Sequence, residues 1–150
     1  MSLEKKINND LKEAMLAKDR RKLEALRAIK AALLLEKTGT DVSGSEIPET
    51  IELKLVQKLV KQRRDSAALY RKQNRADLAG EEEYQAGIIE KYLPEQLSEE
   101  EIEQKLKEII AETGASSIKD MGRVMGMAAK QMAGKADNKI VAALVKKLLA

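Results

Sequence analysis

The sequence predicts an all-α protein: a helical N-terminal domain over residues 1–93, then a small three-helix C-terminal bundle over residues 95–150. Three observations carry that expectation. Ala, Glu, Lys, Leu and Arg dominate, all strong helix formers, while Gly and Pro number only 8 and 2 among 150 residues. Apolar residues recur at three- and four-residue steps almost from end to end. Pro94 breaks that rhythm between two stretches that each return to it.

Each element follows from local signals. Leu3, Ile7, Leu11 and Met15 open a first helix with Ser2 as its N-cap. A second helix carries Leu23, Leu26, Ile29 and Leu33 and ends near Thr38-Gly39. A loop over residues 39–45 follows, and Pro48 suits the first turn of a long third helix over residues 49–73. Its apolar side is expected along Ile51, Leu55, Leu59, Ser66 and Leu69/Tyr70. Asn74 is expected as its left-handed cap, and Asp77 as the N-cap of a short fourth helix with Glu81, Glu82 and Glu83 in the first turn.

Beyond Pro94, Ser98 and Glu101 have the spacing of a capping box. The helix they open carries Ile102, Leu106, Ile109 and Ile110, and Thr113-Gly114 stops it. Ser117 is expected to open the sixth helix and Gly134 to close it. Asp137 opens the seventh, with Ile140, Val141, Leu144, Val145 and Leu148. No internal repeat is visible.

Composition closes most chemistries. Cys and His are absent, so no disulfide, no Cys/His zinc site and no Ser–His–Asp or Cys–His catalytic group can form from this chain. Tyr70, Tyr84 and Tyr92 are its only aromatics, which leaves little for base stacking. The longest apolar runs, residues 31–35 and 140–145, fall far below the roughly 18 that span a bilayer. The N-terminus lacks a signal-peptide apolar stretch. A cytoplasmic protein with no membrane partner is the expectation, and neither metal nor cofactor is called for. The Glu81–Glu83 and Glu99–Glu101 runs fall where helix starts favour negative charge.

The net charge of +3 hides segregation. Residues 54–75 hold eight cations against Asp65 alone, and residues 95–112 hold seven Glu against two Lys. Residues 119–147 hold seven cations against Asp120 and Asp137. In the third helix, Lys54, Lys58, Lys61 and Lys72 share a strip beside Arg64, Arg71 and Arg75; such a strip is more often simply solvated.

The sixth helix is the most informative. Ile118, Met121, Met125, Ala128 and Met132 should form its buried stripe, with the methionines filling core. Lys119, Arg123, Gly126 and Lys130 then face outward. Glycine inside a helix costs about 1 kcal/mol relative to Ala, so each one needs a reason. Packing against another helix is the expected reason at Gly122. At Gly126 packing and close approach of a phosphate backbone both remain open.

The strings Tyr92-Leu-Pro-Glu-Gln-Leu-Ser-Glu-Glu-Glu101, Gly114-Ala-Ser-Ser-Ile-Lys-Asp-Met-Gly-Arg-Val-Met-Gly126 and Gly134-Lys-Ala-Asp-Asn138 resemble the YqeY family. So do Leu26-Arg-Ala-Ile-Lys30, Val60-Lys-Gln-Arg63 and Arg75-Ala-Asp-Leu78, and the likeness covers nearly the whole chain. Asn74 departs from it, standing where the family usually has Gly. The resemblance implies a free-standing relative of the tail domain of the B subunit of tRNA-dependent Glu/Asp amidotransferase, similar also to a module on some glutaminyl-tRNA synthetases. It implies contact with the outer elbow of tRNA, and partnership with a synthetase or amidotransferase. The carbon–nitrogen ligase activity attached to the family, with glutamine as amide donor, would reside in amidotransferase parts that this chain lacks.

Two functions are therefore in play. One is a non-catalytic tRNA-binding module using Lys119, Arg123, Gly126 and Lys130, with Lys58, Lys61 and Arg64 second. The alternative is a subunit or helper of a carbon–nitrogen ligase, for which Ser116-Ser117 beside Lys119 is the only tempting cluster, though Ser117 and Asp120 also fit an N-cap pair. A protein-interaction module pairing the acidic and basic faces with partners is the third reading.

Overall fold

The computed structural model describes residues 2–39 and 47–150, and the loop expected over residues 39–45 lies, beyond Gly39, outside them. Among the described residues there are seven α-helices and no strand. They run α1 (Leu3–Leu16), α2 (Arg20–Gly39), α3 (Glu49–Lys72), α4 (Ala76–Glu90), α5 (Glu99–Thr113), α6 (Met121–Gln131) and α7 (Asn138–Leu149), with a 3₁₀ turn at Ile118–Asp120. The chain divides into two compact units, Met1–Leu93 and Pro94–Ala150.

In the first unit, Ile7 and Leu11 of α1 meet Leu23, Leu26, Ile29 and Leu33 of α2, Val56 and Val60 of α3, and Ile89 of α4. Ser2 caps α1 by accepting the Lys5 N–H at 3.3 Å. The chain then reverses over the three residues 17–19. Lys18 takes φ +56°, and the Asp19 and Lys18 N–H groups bond back to the carbonyls of Ala14 and Met15. Asp19 at once caps α2 by accepting the Lys22 N–H at 3.1 Å. No glycine announces this turn, and Asp19, an N-cap residue type, is its one sequence signal.

The α3–α4 hairpin closes with the same hydrogen-bond pattern. Asn74 has φ +57°, with Arg75 and Asn74 N–H groups on the carbonyls of Tyr70 and Arg71. Asn tolerates this conformation best after Gly, so the expected cap forms. The fully buried line of α3 is Val56, Val60 and Ala67; of the expected line, Leu55 and Leu59 pack partly buried against the core, while Leu69 is 56% exposed. Arg63 falls on that line at the helical step between Val60 and Ala67 and hides it from a reading by apolar periodicity. Its guanidinium reaches Gln85 Oε1 at 3.0 Å and the Leu59 carbonyl at 3.2 Å. The fourth helix also starts earlier than expected. Asp77 lies within the first turn of α4 and makes no cap; it pairs with Arg75 at 3.2 Å. Glu81 and Glu83 sit a turn later and hold Arg21 at 3.1 Å and Arg71 at 2.7 Å.

The second unit packs Ile102, Leu106 and Ile109 of α5 against Val124, Ala128 and Met132 near α6 and Val141, Val145 and Leu149 of α7. The capping box forms as its spacing predicts: Glu101 N–H on Ser98 Oγ at 3.2 Å, Ser98 N–H on Glu101 Oε1 at 3.3 Å. Gly114 ends α5 at φ +68°, and Asp137 caps α7 by accepting the Lys139 N–H at 2.9 Å. The entering segment of chain is fastened to the α6–α7 turn. The Leu97 N–H bonds to the Lys135 carbonyl at 2.9 Å, and Gln96 Nε2 donates to the Gly134 carbonyl at 2.6 Å.

Candidate nucleic-acid interface

The outward face of α6 is built from the turn that precedes it. After Gly114, the Ser116 N–H donates to Asp120 Oδ2 at 3.1 Å and the Asp120 N–H to the Ser117 carbonyl at 2.9 Å. These bonds wind residues 118–120 into a 3₁₀ turn, so α6 begins at Met121 rather than at Ser117. Ser117 makes no side-chain cap bond. It is Asp120 that organises the entry. The helix ends at Gln131, and Gly134, at φ +73°, lies in the turn beyond.

This start rotates the expected buried stripe. A 3₁₀ turn advances 120° per residue against 100° for an α-helix, so α-periodicity cannot be carried back to Ile118. Ile118 is 55% exposed, while Val124 is fully buried with Ala128 and Met132. Met121, Met125 and Met127 pack at the core's edge as partly buried fillers.

Lys119, Arg123, Gly126 and Lys130 are all exposed. Lys119 and Lys130 carry no ion pair among the described residues, and Arg123 is held. Its Nη2 donates to Asp120 Oδ1 at 3.2 Å and its Nη1 to the carbonyl of Thr113, the last residue of α5, at 3.3 Å. Its side chain is still 60% exposed. This network was not foreseen, although the i, i+3 spacing of Asp120 and Arg123 was its available signal. A Cβ placed on Gly126 or on Gly122 would meet nothing within 4 Å. The packing expected at Gly122 is therefore not present; both glycines leave bare backbone on an exposed helix surface. Lys139, Lys146 and Lys147 of α7 are exposed in the same unit.

The second group of residues lies on α3. Lys58 is exposed, Lys61 is partly buried, and Arg64 is ion-paired with Glu90 of α4. Arg71 and Arg75 are likewise committed, to Glu83 and Asp77. The guanidiniums of that strip thus brace α4, and the exposed lysines Lys54, Lys58 and Lys72 give it its remaining positive charge.

A cavity of about 590 Å³ beside α1 and the start of α3 gathers Ser2, Lys6, Glu49, Glu52 and Tyr92. Three of these already have structural work. Ser2 caps α1, Glu52 accepts the Leu3 N–H at 3.2 Å, and the Tyr92 hydroxyl donates to Asp10. Burial, then the Asp10 hydrogen bond and charge, push the Tyr92 phenol well above its ordinary pKa. It is a poor proton donor.

The family profile described as Yqey-like protein matches residues 4–149. Relatives named "Altered inheritance of mitochondria protein 41, mitochondrial" are 33% identical over 124 residues in Meyerozyma guilliermondii, covering 81% of this chain and 64% of that one. In Vanderwaltozyma polyspora the figures are 31%, with 77% and 64% covered. In Clavispora lusitaniae they are 36%, with 71% and 62% covered. The chain thus spans less than two thirds of the length of these curated relatives. Their mitochondrial name overturns the expected cytoplasmic location. That expectation rested on short apolar runs and the lack of a signal-peptide apolar stretch, which fit the aqueous interior of an organelle as well as the cytosol. No described helix is long and apolar enough to cross a membrane.

Proposed function

The chain belongs to the YqeY family, and on that footing we propose that it is a non-catalytic module that binds tRNA by charge and shape at the outer elbow. The observation that carries this reading is the exposed surface of α6 and the turn before it, where Arg123 and Lys130 stand one turn to either side of the bare backbone of Gly126 and Lys119 precedes them. A phosphate chain can approach such a surface closely, and each phosphate neutralised releases condensed counterions. Base readout has no support in this unit. Residues 94–150 contain no aromatic side chain, and in the first unit Tyr84 lies under Arg21 at 3.9 Å and Tyr92 is tied to Asp10, with Tyr70 of α3 partly exposed. Recognition of folded RNA by shape and backbone is what remains.

Under the same reading, the reacting chemistry belongs to a recruited aminoacyl-tRNA synthetase or amidotransferase. Lys58, Lys61 and Arg64 form a secondary phosphate surface, with Arg64 contributing least because Glu90 already holds it. Catalysis by the chain itself finds little to work with: Ser117 has no neighbouring base among its hydrogen-bond partners, and Ser2, Glu52 and Tyr92 of the cavity are used as caps and braces.

The test is a titration of the full chain with bulk tRNA at several salt concentrations. Wild type should bind at low salt and weaken steeply as salt rises. The doubly reversed Lys119→Glu/Lys130→Glu chain should lose affinity and lower the salt slope by about 2, close to one per phosphate contact. These two lysines are the clean probes, since Arg123 also fastens Thr113 and Asp120. No binding by wild type at low salt, or an unchanged double variant, overturns the reading.

A further inference from the structure

We propose that Asp120 is a positioning residue that holds the Arg123 guanidinium ready for an RNA phosphate. This rests on the tRNA-binding reading and goes beyond it, because simple electrostatics assigns Asp120 the opposite role. A carboxylate beside a phosphate-binding face repels the ligand.

The geometry gives the reason. Asp120 uses both oxygens: Oδ2 accepts the Ser116 N–H at 3.1 Å and fixes the turn, and Oδ1 accepts from Arg123 Nη2 at 3.2 Å. The Asp120 side chain is 25% exposed, against 60% for Arg123, so the anchor is the more enclosed partner. The Thr113 carbonyl takes a second Arg123 N–H at 3.3 Å. A guanidinium has five N–H donors; two are engaged here, and the others stay on an exposed group of fixed orientation. A long flexible cation loses rotamer freedom when it meets a phosphate. Arg123 has already lost it in the free protein. Lys119 and Lys130 have no such brace, so the face combines one held cation with two mobile ones.

The experiment compares tRNA affinity at fixed salt for the full-length wild type, Asp120→Asn, Glu112→Gln, Arg123→Ala and the Asp120→Asn/Arg123→Ala double variant. Asn keeps an acceptor for the Ser116 N–H while removing the charge that holds Arg123. Circular dichroism melts verify that each variant is folded. Asp120→Asn should bind about 3- to 10-fold more weakly, the range set by ordering one rotamer-rich side chain. Glu112→Gln, which removes an exposed carboxylate near the same turn, should bind no more weakly than wild type. With Arg123 already Ala, Asp120→Asn should cause no further loss. In the absence of RNA, the Arg123 side-chain N–H signals in ¹⁵N NMR should be resolved in wild type and averaged in Asp120→Asn.

Equal or tighter binding by Asp120→Asn overturns the proposal, as does an undiminished loss in the Arg123→Ala background. Averaged Arg123 signals in wild type overturn it too, while leaving RNA binding untouched. Failure of wild type to bind removes the RNA reading itself, and this proposal with it.

Discussion

The Tyr92 hydroxyl donates a hydrogen bond to a carboxylate oxygen of Asp10, fastening the residue two beyond α4 to the middle of α1 across 82 positions of sequence. Tyr92 and Leu93 pack against the core of the first unit at the same place. Tyr92→Phe keeps the ring and leaves a partly buried carboxylate without this donor. It should cost about 1–2 kcal/mol, measured by urea unfolding.

The same pair sets an alkaline limit. Tyr92 holds its proton more tightly in the folded chain than at its ordinary pKa of 10.0, first because of burial and then because of Asp10. Below pH 10 both states are protonated and the contribution is complete. Above it the unfolded chain ionises first, so stability falls as pH climbs. Melting temperature followed from pH 9 to 11 should decline, and Tyr92→Phe should flatten part of that decline.

Leu106 is fully buried between α5 and its neighbours. Leu106→Ala should destabilise by about 2–5 kcal/mol through lost burial and the cavity left behind. Lys107→Ala, on the exposed neighbouring position, should change stability by less than about 0.5 kcal/mol in the same denaturant titration.

Gly126→Ala separates stability from function. The added Cβ meets nothing within 4 Å and removes the propensity penalty of a helical glycine. Stability should therefore rise by as much as about 1 kcal/mol, read as a higher melting temperature. If Gly126 is the floor on which phosphate rests, affinity for tRNA should fall in the same variant. A more stable chain that binds as well as wild type would remove Gly126 from the interface.

Lys18 pays a backbone cost that can be removed. Its φ of +56° is a left-handed conformation worth roughly 1–2 kcal/mol of strain for a residue with a Cβ. Lys18→Gly should match or exceed wild-type stability despite glycine's greater unfolded-state freedom, whereas Asn74→Ala should lower it, both followed by thermal melts.

What could be read from the sequence was what is local. Ser98 with Glu101, Asp137, Asn74 and Gly114 act within a turn of themselves, so residue type and spacing were enough. The buried line of α3 depended on Arg63 reaching Gln85 of another helix, and a cation in an apolar stripe reads as a break. Ile118 was misplaced because a three-residue 3₁₀ turn shifts phase by only tens of degrees, enough to turn a core position outward. Gly126 and Lys130 were legible as exposed because the geometry of α6 alone decides them, whereas Lys119 lies in the 3₁₀ turn, where that geometry does not apply, and is exposed as well. The i, i+3 spacing of Asp120 and Arg123 signals their pairing, but the bond from Arg123 to the Thr113 carbonyl was not legible, since it joins the end of one helix to the start of another.

The bonds from Gln96 to Gly134 and from Leu97 to Lys135 bear on where the second unit can be separated from other sequence. They lie upstream of the Ser98 cap, so a cut at Ser98 looks tidy by helix boundaries yet discards both. A cut before Pro94 keeps both, along with the Gln96 bond to the Pro94 carbonyl. The portable piece therefore starts several residues ahead of its first helix, and grafting onto another protein should preserve that lead-in.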